Sequence, residues 1–127
     1  MTWQPPVASW PDVETVIPAH LRDVLDVDHA GSKRKDSWAG RIVVVRRDGG
    51  SVRGVHDVAR VAVRCWAPDP AECTDLALLV RSTLLAAPLH VAEVTRVEHL
   101  SGPYAVNDAS GPQTYQLFEV TLRATLA

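Results

Sequence analysis

Two cysteines, five scattered histidines and one cationic run are the residues of this 127-residue chain best equipped for chemistry. A thiol nucleophile needs a base within hydrogen-bond reach and an orienting partner, and a zinc site needs four converging ligands. Cys65 and Cys73 lack the C-x-x-C spacing of zinc and thiol-redox sites. His20, His29, His56, His90 and His99 occur singly, in neither an H-x-x-x-H nor an H-E-x-x-H arrangement. Both cysteines read as small buried hydrophobes, Cys65 on the core side of a strand and Cys73 on the apolar stripe of a helix. His56-Asp57 hints at metal-dependent hydrolysis only if the two converge, and neighbours along a strand point to opposite faces. DGGSVRG, residues 48–54, lacks the G-x-x-x-x-G-K-[ST] phosphate loop and a following helix, so it reads as a hairpin loop. No catalytic, cofactor-binding or metal-ligating residue is predicted, and the chain is not expected to be an enzyme.

Lys33-Arg34-Lys35, with Trp38 close by, is the densest positive cluster. Such a group can touch phosphates and stack a base. Three charges followed at once by Asp36 more often form a solvated loop. Arg60, Arg64 and Arg123 are placed on an outer sheet face with Glu119, which is either a solvated face with cross-strand ion pairs or a polar assembly surface.

The bulk numbers bound these choices. At this length one domain is expected, with a core that needs no disulfide or metal staple. The formal net charge is -2 and the pI about 6.2, without the basic excess that drives sequence-independent nucleic-acid binding. The N-terminus lacks the charged start and apolar run of a secretory signal, and no stretch approaches the ~20 apolar residues of a membrane span, so no membrane association is predicted. Reduced thiols in a cytosolic setting are expected.

The elements that must hold these residues follow from periodicity. Residues 1–10, with Trp3 and Trp10 among prolines, read as an extended arm. Asp12 caps a helix in which Val13, Val16, Ile17, Leu21, Val24 and Leu25 recur at helical spacing, with Pro18 expected to kink or restart it. Residues 27–40 read as a long loop. RIVVVRR (41–47) and DVARVAVRCW (57–66) read as an antiparallel strand pair, the second with Val61, Val63 and Cys65 facing inward. Asp69-Pro70-Ala71-Glu72 opens a second helix with a capping-box pattern. Its stripe is Cys73, Leu76, Ala77, Val80 and Leu84, while Leu78, Leu79 and Leu85 fall outside it, an apolar arc wider than one sheet requires. Residues 90–100 and 114–126 read as two further strands, joined by a loop over 101–113. The last strand turns Phe118, Val120, Leu122, Ala124 and Leu126 inward. The expected fold is α+β in the order α-β-β-α-β-β, a mainly antiparallel four-stranded sheet with the helices packed on one face.

Taken in order, three segments carry a family resemblance: WPDVETVIPAHLRDVL, the Gly-Gly turn followed by DVARVAVRCWAPDPAECTDLALLVRSTLL, and SGPYAVNDASGPQTYQLFEVTLRATL. Together they resemble the tail-terminator (tail-completion) proteins of long-tailed bacteriophages across nearly the whole chain. The resemblance implies a structural virion protein with no cofactor, made in the host cytoplasm and located at the head-proximal end of the tail. Such proteins form a ring, commonly a hexamer, that caps the tail tube, stops its polymerisation and serves as the docking surface for the head. The implied partners are copies of the chain itself, the major tail tube protein and a head-completion or neck protein, with DNA passing through the lumen. Trp3, Trp10, Lys33, Arg34, Lys35, Trp38, Leu78, Leu79, Leu85 and Tyr104 are the candidate interface residues. A head-completion (stopper) or other neck connector is the alternative in the same setting. From a different class, a small nucleic-acid-binding module would use Lys33, Arg34, Lys35 and Trp38.

Overall fold

Asp12 and Asp69, the two predicted caps, both accept from the backbone of the helix that follows, Asp12 from Glu14 N at 3.0 Å and Asp69 from Glu72 N at 2.9 Å. They open α1 (Val13–Val24) and α2 (Pro70–Ala86), the latter with Pro70 in its first turn. Around them the chain lays down β1 (Ala8–Ser9), β2 (His29–Gly31), β3 (Ile42–Arg53), β4 (His56–Trp66), β5 (Val94–Asp108), β6 (Gly111–Arg123) and β7 (Thr125–Leu126). The computed structural model describes residues 8–126.

The architecture is α+β: two helices and a mostly antiparallel sheet in the order β2-β3-β4-β6-β5. That sheet has five strands rather than four. The added strand is β2, which lies within the segment expected to be a loop and pairs parallel with β3, His29 opposite Ile42. Three residues are too few to display a two-residue period, and residues 32–41 supply the crossover that a parallel pair needs. A separate two-stranded sheet joins β1 to β7, Ala8 opposite Leu126, so the arm expected over residues 1–10 ends in a strand. The last predicted strand divides at Ala124, whose N–H donates to Val55 O at 3.0 Å, and Leu126 leaves the main sheet.

The expected loop over 101–113 is mostly strand, because β5 and β6 form a long hairpin that turns at Ala109 and Ser110. The register shifts between Val94 and Arg96, His99 and Ser101, and Ser101 and Tyr104 remove the alternation that would reveal it. At Gly102, φ is +89° and a Cβ would meet Tyr115 O at 2.6 Å, so only glycine passes there. The third predicted strand starts late, at Val94, since a 3-10 turn over Ala87–Leu89 extends the end of α2. Helix α1 is one helix through Pro18, which is buried.

One face of the sheet carries the main core. Val43, Val45, Ala59, Val61, Val63, Cys65, Phe118, Val120 and Leu122 lie beneath Val13, Ile17 and Leu21 of α1 and Cys73, Leu76, Ala77, Val80 and Leu84 of α2. Both helices therefore pack on one side. Val24, expected on the α1 stripe, is exposed. A second, smaller cluster of Ile42, Val44, Trp66 and Trp38 occupies the opposite face, and it positions the site described next.

Candidate functional site

On that opposite face, antiparallel pairing sets Ile42 beside Trp66, Val44 beside Arg64 and Arg64 beside Tyr115. The segment after β2 folds across them. Its closure begins at Asp28, whose Oδ2 accepts from Arg41 N at 2.8 Å, while Arg22 Nη1 donates to Ala30 O at 2.7 Å and ties β2 to α1. Trp38 then stacks on His29 with ring centroids 4.8 Å apart and planes 3° apart. The far edge of its indole comes within 3.0 Å of where a Cβ on Gly31 would stand, so the small residue at that position makes room for the ring.

This brings Arg34 over the indole of Trp66, 4.9 Å from the ring centroid, while Arg64 covers Tyr115 at 5.3 Å. Each guanidinium sits on an aromatic face and loses part of its conformational freedom there. A concavity of about 370 Å³ opens between them, with Lys33, Arg46 and Arg47 adding positive charge and Asp48 the one carboxylate among the described residues that line it. Arg47 is neutralised by Asp57, whereas no carboxylate of the described residues lies within ion-pair distance of Lys33, Arg34, Arg46 or Arg64. Arg34 Nη1 is buried without an acceptor. In a chain of net charge -2, this is a local concentration of unpaired cations.

Both cysteines face the core, where Cys73 Sγ contacts Cys65 O at 3.2 Å and Thr114 Oγ1 at 3.8 Å. Burial pushes the Cys65 thiol up to about 12 and raises that of Cys73. Thiols so shifted are poor nucleophiles. Among the described residues, no three His, Cys, Asp or Glu side chains gather in a metal-holding group. His56 and Asp57 do not converge. Asp57 is buried against Arg47, at 2.6 and 2.8 Å from its two terminal nitrogens, and His56 pairs across the sheet with Arg123. Arg60 lies opposite Glu119 on the outer face.

Helix α2 presents a second surface. Leu78 and Leu85, at helical spacing on one flank of the buried stripe, are 37% and 46% exposed, and Leu79 on the other flank is 48% exposed. Beside them, a shallow groove is lined by His20, Val24, Ser82, Ala86 and His90, with the imidazoles of His20 and His90 stacked at 6.3 Å. No helix of the described residues is long and apolar enough to cross a membrane.

The predicted interface residues do not form one surface. Lys33 and Arg34 line the concavity, Lys35 is exposed beside them, and Trp38 is half-buried in the wall that supports it. Leu78, Leu79 and Leu85 belong to the α2 surface, and Tyr104 is exposed on the β5 hairpin. Trp10 donates its indole N–H to Val55 O at 3.1 Å near the β1–β7 sheet, and Trp3 lies outside the described residues. Sequence reasoning missed the partnership of the 33–38 segment with Arg46, Arg64, Trp66 and Tyr115. Strand alternation turns Arg64 and Trp66 outward, but no local pattern reports which distant loop covers them. No family model matches the chain, and no curated protein sequence matches it significantly.

Proposed function

We propose that the chain is a structural subunit, the tail terminator of a long-tailed phage, which closes into a ring with copies of itself and caps the tail tube. The supporting observation is the two-sided apolar character of α2. Its stripe of Leu76, Val80 and Leu84 is fully used by the sheet, yet Leu78, Leu79 and Leu85 remain in solvent. An apolar patch of that kind is stabilised when another surface covers it. Head-to-tail contacts that close by rotation make a ring, and a second copy meeting α2 would supply that cover. The family resemblance of the sequence adds the tube end and the head as the ring's two neighbours.

Light scattering and electron microscopy test this with purified chain and polymerising tube subunits. The expected result is a ring, six-fold by the resemblance, that shortens and caps tubes. Leu78→Lys/Leu85→Lys is expected to keep its thermal midpoint within a few degrees while losing both ring and cap. A chain that stays monomeric at high concentration and leaves tube length unchanged overturns the proposal. A ring that binds heads without limiting tube length identifies the stopper instead.

A further inference from the structure

We propose that the concavity on the outer sheet face is a binding site for linked phosphates, the chemistry shared by a nucleic-acid backbone and a free polyphosphate chain. Arg34, Arg46, Arg64 and Lys33 are the groups that take them. Three observations converge on this. Four cations without a carboxylate partner among the described residues face one hollow of about 370 Å³, larger than a single phosphate fills. Two of the guanidiniums are already held by their faces against Trp66 and Tyr115, so less conformational freedom is left to lose when their N–H groups meet oxyanions. The buried Nη1 of Arg34 has no acceptor, and a donor in that state costs free energy until an oxygen reaches it.

The charge distribution favours phosphates over an acidic peptide. Asp48 also lines the hollow, so a ligand must carry high charge density to prefer it. Linked phosphates carry about one charge per unit, and release of their condensed counterions adds a favourable term that a carboxylate side chain lacks. The aromatic rings are covered by the arginines, so base stacking contributes little and sequence preference is expected to be weak. This inference does not depend on ring formation.

The test uses the full chain with a fluorescein-labelled single-stranded oligonucleotide, followed by anisotropy across a salt series. With four contacts, log K is expected to fall against log salt with a slope of about -3, roughly 0.7 per phosphate. Arg46→Gln lies on an exposed strand position away from either stacked ring, so it leaves the fold intact and is expected to weaken binding roughly tenfold and to flatten the slope by about 0.7. Arg34→Lys keeps the charge but loses the fork, and is expected to weaken binding less than Arg34→Gln. Tripolyphosphate is expected to compete: weak competition assigns the site to a nucleic-acid backbone, and competition at equal phosphate concentration assigns it to free polyphosphate. Absence of binding to both probes at low salt overturns the proposal. So does binding that Arg46→Gln and Arg34→Gln leave unchanged, or an oligonucleotide displaced more readily by polyglutamate than by tripolyphosphate.

Discussion

Arg47 grips Asp57 with both terminal guanidinium nitrogens, at 2.6 and 2.8 Å, across the β3–β4 hairpin beside the point where the strand register shifts. The Asp57 side chain is 8% exposed and that of Arg47 34%. The Arg47 guanidinium is held further above its ordinary value, chiefly by the hydrogen bond to Asp57, and its backbone N–H donates to Glu14 Oε2 of α1 at 2.7 Å. One residue thus joins the hairpin to the helix layer. Arg47→Leu strands a buried carboxylate and is expected to lower unfolding free energy by about 1–3 kcal/mol, less than for a fully buried pair because water reaches the arginine. Arg47→Leu/Asp57→Leu is expected to recover much of that. Urea unfolding measures both, and a single variant within about 0.5 kcal/mol of the parent would show that the pair contributes nothing.

The thiols give a second expectation. With Cys65 pushed up to about 12 by burial and Cys73 raised for the same first reason, the fold favours the neutral thiol at both positions. Ellman's reagent is expected to leave the folded chain unlabelled over an hour and to report two thiols in denaturant. Rapid labelling of either without unfolding contradicts the packing described for the α2–β4 contact.

A third concerns acid. His20 is held below its ordinary 6.5, first by burial, then by His90, with Asp23 acting in the opposite direction, and Glu93 lines the same hollow. A depressed folded value means that the neutral imidazole is favoured in the fold. Its contribution to stability is whole above pH 6.5 and is lost as pH falls from 6.5 through the lower folded value. His20→Gln is expected to unfold at the same urea concentration as the parent at pH 8 and to decline less steeply below 6.5. Parallel pH profiles for the two would remove His20 from the account.

Much of this was legible in the chain itself, for local reasons. Asp12 and Asp69 announce helix starts through side-chain chemistry that acts within three residues, and Phe118-x-Val120-x-Leu122 announces a half-buried strand through its period. What escaped was non-local. The strand at His29–Gly31 exists because Ile42–Val44 offers it an edge, and three residues hold no period of their own. The β5–β6 hairpin was masked by bulges, which break alternation at the places where they bend the strand. The candidate site was legible in part: Lys33 and Arg34 stand out by composition. Their meeting with Arg64 and Trp66 depends on a fold-back that His29 and Gly31 make possible through Trp38, a relation spread over contacts rather than spacing.

Strand β6 lies between β4 and β5, although the chain makes it after both. A growing polypeptide emerging from the ribosome therefore holds two outer neighbours with a vacancy between them until residues 111–123 arrive, and Phe118, at the centre of the core, is among the last to be supplied. Completion of this sheet waits on residues 111–123, and nascent chains stopped short of that segment should be substrates for chaperones and proteases rather than shortened versions of the finished molecule.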